Sequence, residues 1–177
     1  MGLLHTFKSL FGQQESAQPT APIEAAPGDR RLRPRANPKP GTRALIIDDS
    51  PTIALALRRM LDAAGVHSLT APDAEQGLDL ARKERPDLIF LDIVLPGMNG
   101  FSALRQLRRE EHGRATPVIM ISGNEKAAAQ FHGARIGADD FMRKPFSRHD
   151  LFSRIESLLD VERVPRRRLE DRPGARA

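Results

Sequence analysis

The chain has 177 residues, with 28 Lys and Arg against 23 Asp and Glu, and it contains no Cys, Trp or Tyr. This length fits one folded domain with flanking segments. The lack of Cys excludes disulfides, thiolate zinc sites and cysteine nucleophiles. The sequence has no run of 18 apolar residues, and residues 1–12 are too short and too polar for a secretory signal, so we expect a cytoplasmic protein.

The net charge of +5 comes from the two ends of the chain. Residues 1–42 carry +3, residues 43–160 carry −1 and residues 161–177 carry +3. Because the central segment has no basic excess, we expect no nucleic-acid-binding face on it. The run Arg166-Arg167-Arg168 could contact phosphates, but a solvated tail is the simpler interpretation.

Three segments lie outside the central residues 43–160, two before them and one after. Residues 1–12 fit a short amphipathic helix that contacts a membrane surface or a partner. Such a helix is marginal in water, so a disordered leader is the alternative. Residues 13–42 hold six of the 14 prolines and predict a disordered Pro/Ala-rich linker. Residues 161–177, which are rich in Arg, predict a basic disordered tail.

Short apolar runs indicate the strands of the central segment. They occupy residues 44–47, 66–69, 88–91 and 118–121, and three of the four are continuous rather than alternating. Continuous short runs are typical of strands buried on both faces of a parallel sheet. A fifth strand, more polar at its start, fits residues 139–143.

Helical patterns separate these strands. Ser50-Pro51 is a good start for a first helix, which Gly65 ends. Three more helices are predicted over residues 73–84, 101–108 and 125–136. A capping-box pattern, Ser147-x-x-Asp150, begins the last one. This alternation over residues 43–160 predicts an α/β fold, a five-stranded parallel sheet with helices on both faces.

Polar residues follow the predicted strands at their carboxyl ends, which is where open α/β sheets bind ligands. Asp48 and Asp49 follow the first strand, Asp92 the third, Ser122 the fourth and Lys144 the fifth. Three carboxylates at close range repel one another unless a cation joins them. Mg²⁺ suits such a site, since it binds carboxylate, water and phosphate oxygens.

The sequence has no glycine-rich nucleotide-binding loop, so we expect the site to bind a phosphoryl group on its own. A carboxylate can act as the nucleophile that accepts such a group. Lys144 and Ser122 would then stabilise the phosphoryl oxygens by charge and hydrogen bonding. Taken alone, Asp48 and Asp49 could instead cap the helix that begins at Pro51.

This order of residues resembles the receiver domain of two-component response regulators. The resemblance covers about residues 43–160. It rests on IDDS at 47–50, LDIVLPGMNG at 91–100, ISG at 121–123, GADDF at 137–141 and KPF at 144–146. It implies a flavodoxin-like (βα)5 receiver fold.

The resemblance also implies roles for residues of the site. Asp92 matches the aspartate that is phosphorylated from a histidine kinase. Asp49 and Asp92 would bind Mg²⁺ directly, Asp48 would act mainly through water, and the backbone carbonyl of Val94 would be the remaining protein ligand. Lys144 would contact the phosphoryl group, and its peptide bond to the following proline is usually cis in this family.

Two further residues match the switch of the family. Ser122 corresponds to the switch hydroxyl and Phe141 to the switch aromatic, although core packing is the alternative for Phe141. Phosphorylation would shift an existing equilibrium. This would reshape the face formed by the fourth predicted helix, the fifth strand and the fifth predicted helix, where a downstream protein would bind.

We therefore predict a stand-alone receiver that signals by protein binding, because only 17 residues follow residue 160. It is similar to regulators of chemosensory systems, among them those that govern type IV pilus motility. The alternatives are a localised scaffold or adaptor that uses residues 1–12, and a phosphorelay intermediate or phosphate sink. An enzyme that hydrolyses phosphate esters is disfavoured, since Val94 stands where such an enzyme needs a second acid.

Overall fold

Five parallel strands form one sheet in the computed structural model, which describes residues 36–124, 126 and 137–167. The strand order is β2-β1-β3-β4-β5. The strands are β1 Arg43–Ile47, β2 His67–Ala71, β3 Leu88–Asp92, β4 Val118–Ser122 and β5 Asp140–Arg143. The predicted α/β class and flavodoxin-like topology are confirmed.

The burial of the strands explains the sequence pattern. Every residue of β3 and β4 is buried, as expected for central strands of a sheet that is covered on both faces. β2 lies at the edge and is mostly part-exposed. This is why its apolar run alternates with polar residues.

Five helices are described: α1 Pro51–Asp62, α2 Ala74–Glu84, α3 Gly100–Leu107, α4 Glu111–Ala115 and α5 Arg148–Ser157. The side chain of Ser50 caps α1, and Ser147 and Asp150 form the predicted capping box of α5. The sequence did not predict α4. It has five residues, a single buried position and no side-chain cap, so it left no local signal.

The helices cover both faces of the sheet. One apolar core joins α2 and α3 to residues of β1 and β3 such as Leu45 and Ile89. The other core joins α1 and α5 to the alternate residues of the same strands, such as Ile46 and Phe90. Among the described residues, no helix is long and apolar enough to cross a membrane.

Residues 161–167, predicted to begin a disordered tail, instead fold back on the domain. Leu159 and Pro165 form an isolated antiparallel bridge, and the backbone N–H of Arg166 donates to the carbonyl of Leu158 at 2.7 Å. The carboxylate of Asp160 holds this turn by accepting two backbone N–H groups. Composition alone could not show this, since Arg and Pro are also typical of solvated tails.

Several predictions lie outside the described residues. These are the amphipathic helix over residues 1–12, the linker up to residue 35, most of the helix over residues 125–136, and the tail over residues 168–177.

Candidate functional site

Three carboxylates, those of Asp48, Asp49 and Asp92, lie together at the carboxyl ends of β1 and β3. One oxygen of each lies within 4.8 Å of the others. β1 and β3 are hydrogen-bonded neighbours, with Ile47 opposite Leu91, so the residues that follow Ile47 lie beside the end of β3. Asp48 and Asp92 are buried and Asp49 is exposed. The cluster predicted from the sequence therefore exists.

Asp48 is fixed by the turn that joins β1 to α1. Its Oδ1 accepts the backbone N–H of Ser50 at 3.0 Å, and its own N–H donates to the carbonyl of Ala71 at 3.0 Å. The side-chain cap of α1 comes from Ser50, whose Oγ accepts the N–H of Ile53. Capping of α1 is thus the role of Ser50, and the Asp48 carboxylate faces the site.

Asp92 is the last residue of β3 and is held by the loop that follows it. Its Oδ1 accepts the N–H of Val94 at 3.0 Å. Gly100, the first residue of α3, packs against the backbone of Asp92, and a Cβ at Gly100 would lie 2.0 Å from the Asp92 carbonyl oxygen. No motif of the sequence had indicated this role of Gly100. A glycine directly after the helix cap Asn99 was the available signal.

Lys144 joins two of the carboxylates. Its Nζ lies 2.7 Å from Oδ2 of Asp48 and 2.6 Å from Oδ2 of Asp92. The residue follows β5, its N–H donates to the Ser122 carbonyl at 2.9 Å, and the Lys144–Pro145 peptide bond is cis, as the resemblance implied.

Burial and charge act in opposite directions on this pair. Burial lowers the pKa of Lys144, but its hydrogen bonds to Asp48 and Asp92 more than offset this, so that the pKa lies above its ordinary value. Burial raises the pKa of Asp48, and the hydrogen bond from Lys144 opposes this only in part. Lys144 is therefore charged at neutral pH, beside a carboxylate whose ionisation is costly.

The switch candidates occupy neighbouring strands. Ser122 ends β4, is 1% exposed, and accepts the N–H of Asn124 through its Oγ at 3.1 Å. Phe141 lies on β5 opposite Met120 and packs in the core on the α2 and α3 side of the sheet. Core packing, the alternative for Phe141, is thus its observed position. Val94, in the loop after β3, is 56% exposed, whereas its neighbours Ile93 and Leu95 are buried.

The donor set fits a hard divalent cation. The side chains at this edge offer carboxylate oxygens from Asp48, Asp49 and Asp92. Mg²⁺ favours such oxygen ligands over nitrogen or sulfur. A Cβ at Gly123 would lie 3.7 Å from the Lys144 Cβ, in ordinary van der Waals contact.

Comparison with known proteins agrees with this geometry. Residues 44–156 match the family described as response regulator receiver domain. Protein PilH of Pseudomonas aeruginosa is 40% identical over 117 residues, which cover 66% of this chain and 97% of PilH. The chain also matches transcriptional regulators of which it spans about half the length.

Two solved structures show the same fold. The chemotaxis protein CheY4 of Vibrio cholerae aligns with a TM-score of 0.63 and 28% identity, over 67% of this chain and 99% of CheY4. The receiver domain of the sensor histidine kinase PA1611 of Pseudomonas aeruginosa aligns with a TM-score of 0.60 and 31% identity, over 66% of this chain and 95% of that one. That structure has a magnesium ion coordinated in its active-site cleft.

Proposed function

The chain belongs to the response regulator receiver family, and we propose that a sensor histidine kinase phosphorylates it on Asp92 in the presence of Mg²⁺. The observation that carries this proposal is the setting of the Asp92 carboxylate. It is held by the N–H of Val94 on one oxygen, it faces the Lys144 ammonium at 2.6 Å on the other, and it lies beside two further carboxylates.

The side chains of Asp49 and Asp92, with Asp48 acting mainly through water and the carbonyl of Val94, would hold Mg²⁺. The donor chemistry of the cluster supports this assignment. When bound, the ion would neutralise negative charge that builds up on the phosphoryl oxygens during transfer.

The chain's own residues would carry out the rest of the transfer. One carboxylate oxygen of Asp92 forms the new P–O bond while the P–N bond of the kinase phosphohistidine breaks, and the imidazole leaves with the electron pair of that bond. Lys144 stabilises the oxygens of the transferring group by charge. The protein is then a phosphoacceptor that assists its own phosphorylation and dephosphorylation rather than an enzyme acting on other molecules.

Phosphorylation would be converted into a change of the surface. The new group brings negative charge and strong acceptors to the end of β3. The Ser122 hydroxyl, on the next strand, would move to donate to it, and Phe141 would rotate to follow. Such a shift reshapes the face of residues 125–136, β5 and α5, where a downstream protein would bind.

We assign the output to protein binding in the cytoplasm, with no nucleic-acid contact. Residues 43–160 carry a net charge of −1 and so no basic excess that would support one. The likeness to the chemotaxis protein CheY4 favours a chemosensory process. Control of type IV pilus motility is the narrower form of this proposal.

Isotope-labelled protein tests the proposal directly. Addition of Mg²⁺ and acetyl phosphate should shift the backbone amide signals of Lys144, Ser122 and Phe141, and Asp92→Asn should abolish the shifts caused by the phosphodonor. Asp79→Asn, which alters an exposed carboxylate of α2, serves as the control. Equal responses in Asp92→Asn and the wild type would contradict the assignment.

A further inference from the structure

Two arginines bind one carboxylate at the end of the sheet where the strands begin. The Asp92 site lies at the opposite end, where the strands finish. Asp139 precedes β5. Its Oδ2 accepts from Nη2 of Arg108 at 2.9 Å and its Oδ1 accepts from Nε of Arg167 at 2.9 Å. The side chains of Asp139, Arg108 and Arg167 are only 7%, 11% and 6% exposed. Asp139 also accepts the N–H of Val118, at the start of β4.

The guanidinium of Arg167 is enclosed by acceptors from separate parts of the chain. Besides Asp139, it donates through Nη1 to the Arg114 carbonyl at 3.0 Å and through Nη2 to the Gly137 carbonyl at 2.8 Å. All three of its nitrogens therefore have a partner. A planar guanidinium with five N–H groups suits this arrangement, whereas an ammonium could not reach all three acceptors at once.

Arg167 is carried by a segment that we call the C-terminal strap, residues 158–167. Asp160 holds the turn of the strap, and the Lys39 N–H donates to the Arg163 carbonyl at 2.9 Å. The neighbouring Arg166 provides a contrast. Its side chain is 64% exposed and pairs with Asp160 at 3.1 Å. Burial of Arg167 is thus specific to one of two adjacent arginines, and it lies beyond the residues that match the receiver family.

The strap contacts the loop that leads into β5. Gly137 and Asp139 belong to the loop that leads into β5, and the N–H of Asp139 pairs with the Val118 carbonyl. β5 carries Phe141, and the chain reaches Lys144 directly after β5. A side chain that holds this loop therefore holds the first part of the strand that carries the switch candidate.

We propose that the Arg114 carbonyl, the Gly137 carbonyl and the Asp139 carboxylate form a guanidinium-binding pocket, which Arg167 fills to lock the start of β5. The strap is then a regulatory element of the domain. When the strap is cleaved or is bound by another molecule, Arg167 leaves the pocket and the loop over residues 137–139 is released. The pocket itself takes any ligand that presents a guanidinium.

Amide hydrogen exchange on the full-length protein, without a phosphodonor, tests this lock whether or not Asp92 accepts a phosphoryl group. Arg167→Ala should speed exchange over residues 137–141 by roughly tenfold or more, since the loop loses one of its two buried arginine partners and keeps only Arg108. Arg166→Ala is the matched control and should leave these rates unchanged. Equal rates in the two variants would overturn the proposal.

Chemical rescue separates a binding pocket from a general loss of stability. Millimolar ethylguanidinium should restore slow exchange in Arg167→Ala, whereas ethylammonium should not. Equal effects of the two ions, or no effect of either, would overturn the assignment of a guanidinium site. If Arg167→Ala does not fold, Arg167→Lys provides the test. Its exchange should be faster than in the wild type, and wild-type rates would contradict the proposal.

Discussion

At the scale of single residues, Lys144 is the cation that joins Asp48 to Asp92. Its contacts to both carboxylates hold its charge at neutral pH and place its ammonium next to Asp92, the proposed phosphoacceptor. The same residue therefore lowers the repulsion between the carboxylates and is positioned to stabilise a transferring phosphoryl group.

Lys144→Met should slow phosphorylation by a small-molecule donor by at least about tenfold, because it removes a charged donor aimed at the reacting group. The rate is measured by intact mass spectrometry over time. Lys126→Met is the control, since Lys126 is an exposed lysine whose described hydrogen bond is made by its backbone. A wild-type rate in Lys144→Met would show that Lys144 has no part in the transfer.

The buried carboxylate of Asp48 should lower the stability of the protein in the absence of Mg²⁺. Burial raises its pKa despite the hydrogen bond from Lys144, so folding disfavours its charged form. Without Mg²⁺ at pH 7, Asp48→Asn should raise the free energy of unfolding, because a neutral amide avoids the cost of burying a carboxylate. The difference should shrink as the pH falls through the raised pKa, because protonated Asp48 and Asn are both neutral.

Denaturant titrations at several pH values, with and without Mg²⁺, measure this effect. In excess Mg²⁺ the order should reverse, because a ligand of the folded state stabilises the protein that binds it more tightly. If Asp48→Asn is less stable than the wild type without Mg²⁺ at pH 7, the ion pair with Lys144 outweighs the cost of burial.

At the scale of helices and strands, the site depends on where each element ends. Asp48, Asp92, Ser122 and Lys144 follow or end β1, β3, β4 and β5, which lie side by side in the sheet. The helices α1 and α5 begin at caps fixed by Ser50 and Ser147. The capping box of α5 begins two residues after Pro145. Its Asp150 has a lowered pKa because the Ser147 side chain and N–H donate to its carboxylate.

Ser147→Ala should lower the free energy of unfolding by about 1 kcal/mol, since it removes the cap from the N–H of Asp150. Ser157→Ala, at the exposed end of the same helix, should change it by less than about 0.5 kcal/mol. Chemical denaturation of both variants provides the comparison. Equal losses would mean that the capping box does not stabilise α5.

The parts of the fold and of the site that could be predicted are those with a signal in the local sequence. Three strands have continuous apolar runs, and α1 and α5 have capping residues, so their existence follows from neighbouring residues. Asp92 and Lys144 could be placed at one edge, because parallel strands end there together. The short helix α4 and the burial of Arg167 could not be predicted. A solvated arginine and an arginine enclosed by backbone carbonyls have the same local sequence.

At the scale of the whole molecule, the two ends of the strands carry different chemistry. The carboxylates and Lys144 lie at the carboxyl ends, while the strap and its guanidinium-binding pocket lie at the amino ends. Strands of five residues separate the two ends by about 16 Å. Any coupling between the strap and the proposed phosphorylation site would therefore pass through β5 and its neighbours, since the two do not touch.

Deletion of residues 1–34 should leave the melting temperature and the phosphorylation rate of the domain unchanged, because residues 35–177 form a separate compact unit. Calorimetry and mass spectrometry test this. If the shortened chain loses its output in cells but is still phosphorylated, the adaptor alternative for residues 1–12 is favoured. If it loses phosphorylation while folded, the assignment of the site to the receiver domain alone is wrong.

The most direct measurement is the intact mass of the purified protein after incubation with Mg²⁺ and acetyl phosphate. The wild type should gain one phosphoryl group and Asp92→Asn should gain none. A chelator of Mg²⁺ should prevent the addition. A folded wild type that gains no mass, or an Asp92→Asn variant that gains as much, would contradict the account.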